Sequence, residues 1–131
     1  MPFAVATVFT NSGKRTTADR MLTTPTRNPL KFIAMGVGAT GAARTAVAAD
    51  TALSTEVESR ATGTESTVTT TQTGDTYQTV GTISATANRS VDEAGTFDAS
   101  SAGNMGISAT MNVISLVSGD SLQLTMKVQY T

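Results

Sequence analysis

At 131 residues, with 39% hydrophobic and 5% aromatic side chains, the chain is long enough for one domain with its own core. That core must be built from Val, Ile, Leu, Met and Ala, because Trp is absent and other rings are few. The formal net charge is −1 with both signs scattered, so no basic stripe speaks for nucleic acid. Cys and His are both absent, which excludes disulfides, thiolate metal sites, Cys nucleophiles and the commonest general base. No apolar run approaches the length of a membrane span, and MPFAVATVFT has no basic stretch ahead of its apolar residues, so no secretory signal is expected.

In chain order, Phe3 to Phe9 reads as a first strand. Thr10-Asn11-Ser12 offers N-caps for a helix from Gly13 to Leu22. Ala18, Met21 and Leu22 form its apolar stripe, and Lys14, Arg15, Asp19 and Arg20 face water. Pro25 and Pro29 end it. Leu30 to Met35 reads as a buried strand, followed by a Gly-rich stretch, Gly36 to Gly41. Ala42 to Ala49 fits either a helical turn or an extended loop, because Ala carries little periodicity.

Glu56 to Ala61 reads as a strand with Val57 inward. Glu65 to Thr73 is polar and Thr-rich, an edge strand or an exposed hairpin arm, and Gly74-Asp75 turns the chain. Tyr77 to Ala87 reads as a strand with Tyr77, Val80 and Ile83 in the core. That spacing requires a change of face near Gly81, and Gly inside a strand marks a bulge. Val91 to Phe97 reads as a strand interrupted by Gly95, and Asp98 to Asn104 as a loop.

The last third has the clearest pattern. Met105, Ile107, Ala109, Met111 and Val113 alternate with Gly106, Ser108, Thr110 and Asn112. After Ser118-Gly119-Asp120-Ser121, Leu122, Leu124, Met126, Val128 and Tyr130 alternate with Gln123, Thr125, Lys127 and Gln129. A period of two places one set on each face. The two runs read as an antiparallel hairpin with one buried face. The phase changes at Val113-Ile114, where a bulge is expected. About seven strands with one helix give a mainly β fold: a single antiparallel β-sandwich domain, residues 1–131, with one short N-terminal helix.

Three motifs carry possible chemistry. Gly36-Val37-Gly38-Ala39-Thr40-Gly41 matches G-x-G-x-x-G after a strand, and Glu56 and Glu58 lie roughly where a ribose-binding acid would be wanted. The antiparallel pattern downstream favours a structural Gly-rich loop instead. Asp92, Glu93 and Asp98 are the only close carboxylate cluster. A glycosidase pair is the functional reading, but with Phe97 the sole aromatic nearby, a solvated, edge-protecting set is favoured. Asn88-Arg89-Ser90 is formally a glycosylation sequon and reads as a turn. No catalytic, cofactor-binding or metal-binding residue is expected, and an enzyme is not.

Two segments resemble small virion proteins of tailed double-stranded DNA bacteriophages. The first is FTNSGKRTTADRML, residues 9–22, followed by KFIAMGVGATGAA. It is similar to their opening and to the N-terminal domain of tail-collar fibre proteins. The second, residues 76–131, resembles their C-terminal half, with the core E-A-G-x-F-D-A-S-S-x-G at Glu93 to Gly103 and a S-G-D-S turn. DTALSTEVESRATGT, residues 50–64, also fits. Met35 stands where Trp or Ile often precedes the Gly-rich segment, and Gly106-Ile107 where a bulky pair is usual.

The resemblance implies a non-enzymatic structural protein of the virion, assembled in the host cytoplasm. A capsid decoration (cement) protein is preferred, because no heptads, fibre shaft or receptor-binding extension accompany the module. A collar, baseplate or fibre-anchor subunit is the alternative, and a carbohydrate-binding module a more distant one. Expected partners are the major capsid protein or tail proteins and further copies of the chain, with no nucleic acid and no membrane. The Thr-rich arm is the expected assembly contact, through Thr64, Glu65, Thr67, Thr69 and Thr71. It has high β-propensity and little to bury within its own domain.

Overall fold

The computed structural model describes residues 4–39 and 44–131. In chain order they form β1 (Ala4–Phe9), α1 (Asn11–Arg20), β2 (Phe32–Val37), β3 (Thr55–Thr62), β4 (Thr64–Val68), β5 (Thr76–Ser84), β6 (Arg89–Phe97), β7 (Met105–Leu116) and β8 (Ser121–Gln129). A five-stranded sheet has the order β1-β7-β6-β2-β3, and a three-stranded sheet the order β4-β5-β8. Every pairing is antiparallel.

The sheets pack face to face. Ile33, Met35, Val91, Ile107 and Ala109 of the larger sheet share one core cluster with Ile83, Met126 and Val128 of the smaller. The low aromatic content therefore yields an aliphatic interior. On the opposite face of the larger sheet, Ala34, Leu53, Phe97 and Met105 form a second cluster.

The expected terminal hairpin does not form. β7 lies between β1 and β6, whereas β8 pairs with β5 in the other sheet. Alternation marks which residues face the core but not whether two strands meet side by side or face to face. The link between them is a corner. Gly119, at φ +96°, donates its N–H to Ala85 O, and Ala85 N–H donates to Asp120 O, each at 2.8 Å. Residues 85–88 make the other corner, so the two crossings between sheets clasp each other. A third crossing passes through Gly63, between β3 and β4.

Two further readings change. The register of β5 on β8 runs unbroken from Thr76 to Ser84, so Gly81 is not a bulge. Tyr77, Thr79, Gly81 and Ile83 share the inward face, and Val80 lies on the other. Glycine fits this crowded position: a Cβ there would meet Ile33 Cδ1 at 3.0 Å and Ala61 Cβ at 3.2 Å, so those neighbours would have to give by a few tenths of an ångström. β6 runs through Gly95 as one strand, but its pairing with β7 is interrupted there: the register shifts between Gly95↔Ser108 and Phe97↔Met105, and a Cβ on Gly95 would lie 2.7 Å from Met105 Cε. The bulge near Val113-Ile114 is present: the register shifts between Val91↔Ile114 and Glu93↔Thr110.

α1 begins two residues before its expected start. Thr10 is the N-cap: its Oγ1 accepts from Gly13 N–H at 2.9 Å and donates to Met105 O at 2.8 Å, tying the helix to β7. The buried residues of α1 are Gly13 and Thr16, while Ala18, Met21 and Leu22 are exposed. The apolar stripe read from the sequence therefore points away from the sheet. Close packing of the helix on β7 selects the small residue instead, since a Cβ on Gly13 would lie 2.6 Å from Gly106 O.

Candidate functional site

The carboxylates of β6 are not a solvated edge set. β6 is an interior strand, and Asp92, Glu93 and Asp98 are all buried. Glu93 faces away from the sandwich core, beneath residues 44–55. Its Oε2 accepts from Arg44 Nη1 at 2.9 Å and its Oε1 from Thr55 N–H at 3.1 Å. Arg44 also meets Asp50 Oδ2 at 2.6 Å, and Ser108 Oγ donates to the same oxygen at 2.6 Å. One arginine is thus shared by two carboxylates, so the buried Glu93 is not left without a cation. Asp92 accepts from Ala39 N–H at 3.0 Å. Asp98 closes the following loop, accepting from Asn104 N–H at 2.6 Å and Asn104 Nδ2 at 2.8 Å.

Arg60 of β3 completes this region. Its guanidinium lies 3.6 Å from the Phe97 ring centroid, and Nη1 donates to Ala99 O and Ala102 O, both at 2.8 Å. Gly103, at φ +76°, is needed for the turn. The segment Glu93 to Gly103 thus holds its own loop and the cover over the outer face. The sequence offered no signal for Arg44 or Arg60 as partners, because both contacts join distant segments.

The glycine-rich stretch belongs to this packing. Gly36 is inside β2, and a Cβ there would lie 2.5 Å from Glu93 Oε1 and 2.8 Å from Thr55 O. The space a phosphate would need already holds a carboxylate, which would repel it. Gly38 adopts φ +97°, while Thr40 and Gly41 lie outside the described residues, as do Ala42 and Ala43. Residues 44–47 are irregular, and a single turn follows in which Asp50 N–H donates to Val47 O at 3.0 Å. The sequon is not simply a turn: Asn88 precedes β6, and Arg89 and Ser90 lie within it.

The five proposed contact residues are divided between two settings. Thr64, Glu65 and Thr67 lie on β4, an edge strand of the smaller sheet. Thr69 and Thr71 lie in the loop that follows. Asp75 organises that loop by accepting from Thr70, Thr71 and Gln72 N–H at 2.9 Å each. These backbone donors, Gln72 first, hold the Asp75 carboxyl well below its usual range. Thr69 Oγ1 accepts from Gly74 N–H at 3.2 Å and Thr71 Oγ1 from Gln129 Nε2 at 3.0 Å. The arm is a short paired strand with a tied loop.

A groove of about 390 Å³ lies where α1 approaches the end of the smaller sheet. Its walls include Arg20 of α1 and its C-cap Met21, Leu30, Glu65 of β4, Tyr77 of β5 and Tyr130. Tyr77 Oη lies 2.8 Å from Glu65 Oε2 and 3.2 Å from Leu30 O. Burial, followed by the Glu65 carboxylate, pushes the Tyr77 hydroxyl upward in pKa. Tyr130 stacks edge-on to Phe9 and shares a 3.3 Å hydrogen bond with Thr17. The sequence does not reveal this groove, because its residues come from five separate segments.

No protein-family model matches the chain, and no curated protein or solved structure matches it.

Proposed function

We propose that the chain is a non-enzymatic structural protein of a tailed-phage particle, and within that class a capsid decoration protein present in many copies. The observation that carries this reading is the use made of the Glu93–Gly103 segment, where the resemblance is densest. Its carboxylates, glycines and aromatic ring are engaged in holding the fold: Glu93 with Arg44, Phe97 with Arg60, Asp98 with Asn104. A motif of this kind specifies a robust module rather than a reaction. The edge of β4 supports the assembly side of the reading. It is a Thr-rich strand with one carboxylate, and its outer backbone groups are available for strand addition by a neighbour.

Quantitative mass spectrometry of purified particles tests the proposal. A decoration protein is present in hundreds of copies, a collar, baseplate or fibre-anchor subunit in a few to a few dozen, and absence from particles overturns the virion role. Thr67→Lys places a charge on the β4 edge. It should leave the melting temperature unchanged and lower particle occupancy.

A further inference from the structure

The exposed end of α1 carries two large apolar side chains side by side: Met21 is 84% exposed and Leu22 60%. Met21 forms part of the groove wall, and Leu22 stands next to it outside the groove. Tyr130, also on the wall, is 48% exposed. Contiguous exposed apolar surface of this kind marks a contact with another molecule.

The shape and charge of this patch indicate which molecule. A projecting Leu22 beside an apolar groove is a knob beside a hole, and two copies related by a twofold axis can exchange them. In such an interface every contact of one residue on another is repeated in reverse. The charges have the same property. Arg20 stands on the helix side of the groove and Glu65 on the strand side. Among the described residues neither forms an ion pair with the other or with a third group. Glu65 is already oriented by Tyr77, and Arg20 donates only to Arg27 O, at 3.2 Å. A twofold sets Arg20 of each copy against Glu65 of the other, giving two ion pairs at residues that have none in the monomer.

We infer that a second copy of this chain occupies the groove, with Leu22 of each copy seated between Tyr77 and Tyr130 of the other and Arg20–Glu65 pairs across the axis. Self-association of the isolated chain does not depend on any virion role, so it can fail or stand separately from copy number in particles.

Sedimentation velocity of the purified chain over a range of concentrations is the test. The wild type should be dimeric. Leu22→Asp should weaken association at least about tenfold, the scale of a central interface residue. At concentrations where the wild type is monomeric the two melting temperatures should coincide, because Leu22 is exposed in the monomer, and at higher concentrations only the wild type should gain stability from association. Arg20→Glu and Glu65→Arg should each weaken the dimer, and the two together should restore it. A wild type that stays monomeric overturns the inference, whether or not another macromolecule binds the groove. So does a dimer indifferent to Leu22→Asp, or a folded double variant that remains monomeric. Leu22→Asp decides the matter even if Glu65→Arg disturbs the Tyr77 hydrogen bond and the local fold.

Discussion

Strands β6 and β4 are both polar in sequence, yet they have opposite fates. β6 reads RSVDEAGTF with two adjacent acids, and every residue from Val91 to Asp98 is buried. β4 reads TESTV with one acid, and only Val68 is partly covered. A strand's own polarity therefore does not decide its burial. Position does: β6 has neighbours on both sides, β2 and β7, and residues 44–55 over its outer face. β4 has β5 on one side only. Burial of Glu93 is tolerable because Arg44 reaches it, and Arg44 is itself shared with Asp50. Glu65 needs no such partner, because water reaches it.

The sharpest way to break this contrast is Arg44→Met. The substitution keeps much of the side-chain volume but leaves Glu93 buried beside Asp50 without a cation. Breaking a buried pair costs about 3–5 kcal/mol, and Arg44 retains slight exposure, so a loss of about 3 kcal/mol is expected. Urea unfolding at neutral pH measures it. A loss below about 1 kcal/mol would place the pair in the class of surface bridges and remove the explanation for how β6 carries its acids.

Thr79→Val sharpens the contrast from the other sheet. Thr79 is fully buried on the inward face of β5, and among the described residues its hydroxyl has no hydrogen-bond partner at good geometry. An unmet buried hydroxyl costs about 1–3 kcal/mol, and valine removes it at nearly the same volume. A gain of about 1 kcal/mol is expected in the same unfolding experiment. An unchanged or lower stability would mean that the hydroxyl contributes a contact of its own.

Much of the interior was legible in the sequence. Alternation placed Leu122, Leu124, Met126 and Val128 inward on β8, where they join the core, and the phase change at Val113-Ile114 located a bulge. Thr10 stood among the capping candidates. These are local signals, set by the two-residue period and by backbone donors within one turn. The pairing of β7 with β1 and β6 was not legible, because face-to-face and side-by-side partners give the same alternation. Nor was the burial of Asp92 and Glu93, whose partners Ala39 and Arg44 lie far along the chain. The face of α1 was misread for a related reason: close packing on β7 favours Gly13 and Thr16 over larger apolar residues. The groove at Tyr77 and Tyr130 draws on five segments and leaves no periodic trace.

The smallest expected effect lies at the seam between the two sheets and is felt only in acid. Glu58 sits in a bulge of β3 at φ +64° and reaches the corner after β5. Its carboxylate accepts from Arg89 Nε at 2.8 Å, Thr86 N–H at 3.0 Å and Thr86 Oγ1 at 2.8 Å. The Arg89 bond is the largest influence, and together they lower the Glu58 pKa from 4.5 to about 2. A carboxylate lowered on folding stabilises the native state fully above its unfolded pKa, and the contribution fades as pH falls through the folded value. Stability should therefore decline between pH 4.5 and about 2, through Glu58 among other acids. Asp75 and Asp19 are lowered as well, by backbone N–H groups first of all, and add to the same slope. Glu58→Gln separates the contributions. Thermal melts of both proteins across that window should show a shallower acid slope for the variant and a slightly lower midpoint at neutral pH. Parallel slopes would mean that Glu58 is as free to take up a proton in the folded chain as in the unfolded one, and that the corner is held by Ala85, Gly119 and Asp120 alone.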